Sequence, residues 1–297
     1  MKKLLTFLPA LFMVCFLISC SEEDLDDFIK KSGNSSLTDS EIIDGLKTAL
    51  TTGTDSSTSV LSKANGYFKD EAVKILLPQE IQNSIANLKA KKRSFTYLGQ
   101  SFDISGEDVY NGITIKDPFL GTTLWSVDGV KQKEDALILG LNMAAEAAAK
   151  SAGPVFKNAI TTMTITDGLA ILNGTDTAAT SYLRGKTFNP LFNQYEPIVD
   201  SALNNVKVGQ KSVVQLYEDY VGSYNNLLNT ELPTQQSVAD LLTVSPVAAT
   251  DVSEYGTNRA LDGLFLKVSN EEQKIRLNPF AYVSEILRKV FGNNTEE

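Results

Sequence analysis

The segment Met163–Arg184, near the middle of the chain, reads MTITDGLAILNGTDTAATSYLR. It predicts two helices around a tight corner, because Thr and Asp, which cap helix N-termini, stand at 166–167 and again at 175–176. Gly174 lies between the two runs, where the absence of a side chain lets the first helix end in the left-handed conformation. Small residues on both sides allow neighbouring helices to approach closely. The segment therefore predicts the centre of a helical protein.

Apolar residues recur at helical spacing over most of the chain. Thr38 and Glu41 have the spacing of a capping box, and Leu46 and Leu50 follow on one helix face. Prolines, glycines and apolar stripes predict further helices near 39–51, up to 65–66, from 78 and from 154, and near 131–150, 191–206, 211–228, 236–242, 253–276 and 279–291. The prediction is a mainly α protein, a single multi-helix domain over 39–292, followed by a disordered tail at 293–297.

Residues 94–130 interrupt this helical pattern. Short β-branched and aromatic runs, such as FTYL at 95–98 and TLWSV at 123–127, alternate there with glycines. They predict a small β-hairpin or meander inserted into the helical domain. Its aromatic residues, which include the only tryptophan, Trp125, have two interpretations. They form a flap over a ligand, or they pin the hairpin to its domain.

The N-terminus has the composition of an export signal, with two lysines before an apolar run over 4–18. The sequence LISC at 17–20 resembles the lipobox of bacterial lipoproteins, in which the matching cysteine is acylated and becomes the mature N-terminus. Residues 1–19 are therefore predicted to be a lipoprotein signal peptide and Cys20 the lipidation site. The membrane is then a partner through this lipid anchor. The alternative is an ordinary signal peptide or an uncleaved anchor, with Cys20 incidental.

Residues 20–38 are rich in Ser, Asp and Glu and predict an acidic flexible tether. The sequence SEED at 21–24 resembles the surface-export signal of lipoproteins in some Gram-negative lineages. The alternative is a solvated spacer, which is the usual role of a short charge run. The predicted localisation is the bacterial outer membrane, on its periplasmic side or at the cell surface.

Composition argues against several classes of function. The net charge of −9, from 27 basic and 36 acidic side chains, makes nucleic acid a poor partner. The chain has no histidine, which excludes Ser-His-Asp and Cys-His hydrolases and nearly every catalytic zinc site. Both cysteines lie at or before position 20, so the predicted domain has neither a disulfide nor a thiol nucleophile. No metal site and no cofactor is predicted.

Several blocks along the chain together resemble a known family. They are the opening helical stretch at 46–61, the corner at 163–184, and the C-terminal runs at 260–265, 271–279 and 290–292. In this order they resemble the helical envelope proteins catalogued as domain of unknown function 4197, over roughly 40–292. The resemblance implies an exported, helical protein without an assigned activity. It also implies that 94–130 is unusual, because typical members have only a short link there.

Polar residues at helical spacing form one candidate ligand-binding site, and they are Asp176, Thr180, Tyr182, Arg184, Glu272 and Arg276. Asp176, Thr180 and Arg184 succeed one another every four residues and share a helix face. In one interpretation, Arg184 and Arg276 bind an anion in a polar groove. In the other, these residues form intramolecular ion pairs that fix helix packing and helix caps.

The predicted function is that of a lipid-anchored cell-envelope protein, acting as a non-catalytic binding or structural module for an unknown small molecule or protein. No catalytic residue is assigned, because no nucleophile stands with a base. The alternative is a carboxylate-dependent hydrolase acting on an envelope or extracellular substrate. Such an enzyme needs two carboxyl groups about 5 Å apart or more. The candidates for that pair are Asp167, Asp176, Asp262, Glu271 and Glu272.

Overall fold

The computed structural model describes residues 38–172 and 174–278. The described chain is mainly helical, which confirms the predicted fold class. Its helices are α1 (Asp39–Leu61), α2 (Gln79–Lys89), α3 (Gly106–Asn111), α4 (Lys131–Ala149), α5 (Ala152–Thr161), α6 (Ile165–Leu172), α7 (Ala178–Asn205), α8 (Val213–Asn229), α9 (Val238–Leu242) and α10 (Val252–Leu277). The predicted leader, Cys20, most of the tether, the helix at 279–291 and the tail lie outside the described residues.

Three antiparallel strand pairs complete the fold, formed by β1 (Lys92–Tyr97), β2 (Gln100–Ser105), β3 (Gly112–Lys116), β4 (Thr123–Asp128), β5 (Lys207–Val208) and β6 (Lys211–Ser212). Strand β1 pairs with β2, β3 with β4, and β5 with β6. Within the described ranges, none of the helices combines the length and the apolar content needed to cross a bilayer.

Helix α1 is longer than predicted and takes in both of the first two amphipathic stretches. Its second half is rich in Thr and Ser, which usually compete with helix formation through their hydroxyl groups. Here the hydroxyls of Thr51, Ser57 and Thr58 each donate to the carbonyl four residues earlier, at 2.8, 2.6 and 2.9 Å. Because the hydroxyls are satisfied inside the helix, the buried positions Thr54 and Ser57 carry no unmet polar group and the helix continues to Leu61.

Helix α7 is also continuous where the sequence predicts a break. It runs through Pro190 and Pro197 without interruption. A proline inside a helix removes one backbone hydrogen bond, so packing must compensate for the loss. The buried face of α7 lies along α10, and a Cβ on Gly256 of α10 would contact Val199 and Leu203 of α7. The long apolar contact between α7 and α10 forms a central part of the core.

The irregular segment 62–78, between α1 and α2, is held by buried polar side chains of α4. Asn142 is fully buried, accepts from the backbone N–H of Ile75 at 2.8 Å and donates to the carbonyl of Ile75 at 2.8 Å. Glu146 accepts from the N–H groups of Tyr67 and Phe68, both at 3.2 Å. Helix α4 therefore supplies hydrogen bonds that the irregular backbone cannot make with itself.

The predicted β insertion consists of two hairpins with helix α3 between them. Helix α3 packs into the helical core: Tyr110 is fully buried and its hydroxyl lies 3.0 Å from that of Tyr220 in α8. On the second hairpin, the indole N–H of Trp125 donates to the carbonyl of Glu231 at 2.9 Å. Tyr110 and Trp125 thus pin the insertion to the domain, as one of the two interpretations expected, whereas Phe119 is 84 % exposed and does not.

Candidate functional site

The corner between α6 and α7 begins with a capping box. The hydroxyl of Thr164 accepts from the N–H of Asp167 at 3.2 Å, and Asp167 Oδ2 accepts from the N–H of Thr164 at 3.1 Å. The cap is thus Thr164, two or three residues before the predicted positions, and Asp167 is its partner three residues on. The corner is closely packed at Gly174, where a Cβ would lie 2.5 Å from that of Ala178.

Helix α7 receives its N-terminal cap from a distant part of the chain. The side chain of Thr177, at the N-cap position, makes no capping hydrogen bond. Instead Glu272 of α10 accepts from the N–H of Ala179 at 3.0 Å through Oε1, and from the N–H of Thr180 at 2.8 Å through Oε2. Oε2 also accepts from the Thr180 hydroxyl at 2.8 Å. A buried carboxylate therefore satisfies two of the unpaired donors of α7 and complements its positive end.

Arg276 completes the arrangement from the next turn of α10. Its guanidinium lies 2.9 Å from Glu272 Oε1, and its side chain is only 13 % exposed. It also donates to the carbonyl of Ile171 at 3.1 Å, in the last turn of α6. Arg276 thus binds the C-terminal end of α6, and its ion-pair partner Glu272 binds the N-terminal end of α7. This pair locks the corner.

Arg184 lies in a separate place on the protein. It pairs with Asp262 at 2.5 Å, and Asp262 also lies 3.4 Å from Arg259. The Arg184 guanidinium stands 5.0 Å from the ring centre of Phe188 and 5.2 Å from that of Phe265. The ion pair is exposed to solvent, and contacts of this kind contribute little to stability.

The six predicted site residues therefore divide among several places. Thr180, Glu272 and Arg276 meet at the corner, as described above. Arg184 is bound to Asp262, which stands ten positions before Glu272 on α10, or about 15 Å along the helix axis. Asp176 is exposed on the surface. The structure places Arg184 and Arg276 in two separate ion pairs, and ligand binding by these residues stays a prediction.

Tyr182, the sixth residue, opens onto a polar groove between α5, α6 and α7. The groove has a volume of about 420 Å³ and is lined by Val155, Asn158, Ala159, Thr162, Thr164, Asp167, Tyr182, Lys186, Thr187, Pro190 and Gln194. The Tyr182 hydroxyl donates to Asp167 Oδ2 at 3.0 Å. The Lys186 ammonium lies 5.8 Å from the Tyr182 ring centre. We call this arrangement the Tyr182 groove.

Hydrogen bonding, burial and a nearby charge shift the pKa values of Asp167 and Tyr182 in the Tyr182 groove. The hydroxyl and the N–H of Thr164 both donate to Asp167 and lower its pKa, with smaller contributions from Tyr182 and Lys186. Burial, together with the hydrogen bond to the Asp167 carboxylate, raises the pKa of Tyr182 to about 12. At neutral pH the groove therefore presents an ionised carboxylate and a protonated phenol.

The sequence analysis did not identify Lys186 and Gln194 as groove residues. One signal was present: Tyr182, Lys186 and Pro190 succeed one another every four residues and so lie on one face of α7. This signal was missed because a helix break was predicted at Pro190. Only the packed structure shows that α7 continues past this proline. In the part of the chain that the structure describes, no three carboxylates or cysteines cluster as metal ligands would.

Comparison with known sequences identifies a family. The sequence profile of the family described as "Protein of unknown function (DUF4197)" matches residues 36–97 and 120–292. The unmatched stretch, 98–119, falls within the two hairpins and α3. Neither a curated protein nor a solved structure matches the chain. Since the matched residues make up most of its length, the chain belongs to the DUF4197 family.

Proposed function

We propose that the protein is a non-catalytic binding module of the bacterial cell envelope, held to the outer membrane by an acyl chain on Cys20. Its ligand site is the Tyr182 groove. The observation that carries this proposal is the grouping of Asp167, Tyr182 and Lys186 around one open groove, while Glu272 and Arg276 are occupied in locking the corner.

The groups of the groove favour a small, hydroxyl-rich ligand. All three hydrogen bonds to Asp167 reach Oδ2, so among the described residues Oδ1 accepts none. That oxygen can accept from a ligand hydroxyl, and Lys186 can donate to a ligand oxygen. Asn158 and Gln194 add amide groups that both donate and accept. A volume of about 420 Å³ accommodates a sugar or a sugar acid.

The electrostatics of the groove support binding in preference to hydrolysis. A glycosidase needs one carboxylic acid that stays protonated near neutral pH, which requires a raised pKa. The pKa of Asp167 moves the other way, because hydrogen bonds stabilise its ionised form. Among the other candidate carboxylates, Glu272 accepts hydrogen bonds from two backbone N–H groups and pairs with Arg276. Glu271 pairs with Lys274 at 2.6 Å. Nothing here favours the hydrolase alternative.

A thermal-shift panel tests the proposed site. Neutral sugars, uronic acids, amino sugars and inorganic phosphate are added to the parent and to Tyr182→Phe, Lys186→Gln and Arg184→Gln. At least one sugar-type compound is expected to raise the parent melting temperature. Lys186→Gln should lose most of that shift, because it removes the one ammonium group that the described residues contribute to the groove lining. Arg184→Gln is the matched control, since Arg184 also lies on α7 but outside the groove.

Two results would contradict the groove assignment. In the first, no compound of the panel shifts the parent. In the second, the shift persists in Lys186→Gln and disappears in Arg184→Gln, which would place the ligand on the neighbouring open surface of α7.

A further inference from the structure

Helix α7 has two prolines in its interior, Pro190 and Pro197. A proline has no backbone N–H, so it cannot donate to the carbonyl four residues earlier as other helical residues do. Pro190 therefore deprives the carbonyl of Lys186 of its helical donor, and Pro197 does the same to the carbonyl of Asn193. Each proline leaves one backbone acceptor of α7 without its regular helical partner.

The carbonyl of Lys186 lies on the wall of the Tyr182 groove. A helical carbonyl points along the axis toward the residue four positions on, so this one points from Lys186 toward Pro190. Both residues line the groove. Tyr182 and Gln194, which stand one turn before and one turn after them on the same face of α7, line it as well. Pro190 therefore leaves an acceptor in the middle of the face that α7 turns to the groove.

The surroundings of this carbonyl leave it accessible to a dissolved ligand. The hydroxyl of Thr187, the next residue, donates to the carbonyl of Leu183, one turn earlier. Lys186 and Pro190 are both exposed to solvent. Because the regular donor is missing and the site is open, a hydroxyl group of a ligand can take the place of the missing N–H.

The groove thus offers a ligand two acceptors from two different helices. One is Asp167 Oδ1 on α6, because all three hydrogen bonds that the described residues make to this carboxylate reach Oδ2. The other is the Lys186 carbonyl on α7. Neither oxygen can donate, so a ligand that pairs with both must have at least two donor groups. Several ring hydroxyls of one sugar molecule meet this requirement.

Pro197 makes the same change to the backbone outside the groove. Its carbonyl partner belongs to Asn193, which is exposed and is not among the residues that line the Tyr182 groove. Water can pair with that carbonyl. The two prolines therefore differ in what their freed carbonyls face, and Pro197 provides a matched control for Pro190.

We infer that Pro190 is a positioning residue of the Tyr182 groove, because it keeps the Lys186 carbonyl available to accept a hydrogen bond from a ligand hydroxyl. This inference rests on the proposed function and narrows its ligand class. The ligand presents at least two hydroxyl donors, one to Asp167 Oδ1 and one to the Lys186 carbonyl. The Lys186 ammonium then donates to a further oxygen of the same ligand.

Replacing each proline by alanine tests this inference. Pro190→Ala gives residue 190 an N–H that donates to the Lys186 carbonyl and so occupies it, and Pro197→Ala does the same for the carbonyl of Asn193. Both variants should melt at or above the parent temperature without ligand, because each restores a backbone hydrogen bond and a good helix former. The probe is whichever of glucose, glucuronate and glucosamine raises the parent melting temperature most, and titration calorimetry measures its binding.

Pro190→Ala is expected to bind the probe roughly tenfold more weakly than the parent, as the loss of one hydrogen bond implies. Pro197→Ala should bind as the parent does. A second measurement follows the carbonyl itself. In the parent, the probe should shift the carbon-13 NMR signal of the Lys186 carbonyl and leave that of the Asn193 carbonyl in place.

Three results would overturn the inference. If Pro190→Ala binds the probe as tightly as Pro197→Ala while Lys186→Gln loses binding, the inference fails and the proposed function stands. If Pro190→Ala binds weakly but the probe leaves the Lys186 carbonyl signal of the parent unchanged, Pro190 acts through the shape of α7 and not through this carbonyl. If none of the three compounds shifts the parent, the groove assignment fails and this inference fails with it.

Discussion

At the scale of single residues, two neighbouring glutamates on α10 have opposite roles. Glu272 is buried and closes the N-terminus of α7, while Glu271, whose side chain is 18 % exposed, pairs with the exposed Lys274. The sequence alone does not separate them, because both stand in the same charged run. The packing of α10 against the corner is what buries the Glu272 carboxylate more deeply than that of Glu271.

Glu272→Gln is therefore expected to lower the free energy of unfolding by about 3 kcal/mol, because it leaves the largely buried Arg276 without its counter-ion. The matched change Glu271→Gln should cost less than about 1 kcal/mol, as exposed pairs do. Urea denaturation of the parent and both variants measures the difference. Equal costs for the two changes would show that the Glu272 carboxylate does not hold the corner.

Asp167 provides a prediction in pH. Its pKa is lowered in the folded protein by Thr164, so its contribution to stability is complete above the unfolded pKa of about 3.9 and is lost as the pH falls through the lowered value. Thr164→Ala should raise the Asp167 pKa toward the unfolded value, as seen in a carbon-13 NMR titration of the carboxyl group. Thr162→Ala is the control, because among the described residues the Thr162 hydroxyl bonds only to the carbonyls of Asn158 and Ala159. An unchanged titration in Thr164→Ala would contradict the capping box.

At the scale of elements, the sequence identified most helices but placed several of their boundaries wrongly. Prolines predicted a break in α7, but the helix runs through both of them because tertiary packing compensates for the lost hydrogen bonds. The first helix was predicted to end near residue 51, whereas α1 runs to Leu61 because its Thr and Ser hydroxyls are satisfied inside the helix. The two hairpins were detected from their glycines and β-branched residues, whereas α3 between them was not. Its six residues are too few for a helical period to stand out.

Two helical glycines report on the packing of α10 and α7. A Cβ on Gly263 of α10 would lie 2.8 Å from Tyr67 and 3.2 Å from Val73, so Gly263→Ala should destabilise the protein by about 1–3 kcal/mol. A Cβ on Gly185 of α7 would meet nothing within 4 Å. Gly185→Ala should therefore stabilise the protein by about 0.5–1 kcal/mol, through the higher helix propensity of alanine. Thermal melts of the two variants should move in opposite directions, and a higher melting temperature for Gly263→Ala would contradict the α10 packing.

At the scale of the whole molecule, the lipid anchor remains a proposal that rests on the sequence at 1–20. Cys20→Ala is expected to release the protein from the membrane fraction or to halt its processing, because no acyl chain can then be attached. Membrane fractionation with detection of the precursor and mature forms provides the measurement. If the variant stays in the membrane fraction as a processed chain, like the parent, then Cys20 is not the anchor.

The candidate site was partly predictable at this scale. The sequence selected Tyr182, which lines the groove, and Glu272 and Arg276, which lock the corner. It did not show that these residues serve different purposes, since Glu272 and Thr180 stand 92 positions apart and meet only in the folded chain. Spacing along one helix indicates which residues share a face. It does not indicate which distant helix covers that face.

Amide hydrogen exchange at Ala179 and Thr180 tests most directly whether α10 locks the corner. These N–H groups lie in the first turn of α7, where helical amides have no partner in their own helix and normally exchange quickly. In the parent protein both should be protected, because Glu272 accepts from them at 3.0 and 2.8 Å. Glu272→Gln should remove much of this protection, while amides farther along α7 stay protected. Rapid exchange of both amides in the parent would contradict the Glu272 cap and with it the architecture of the corner.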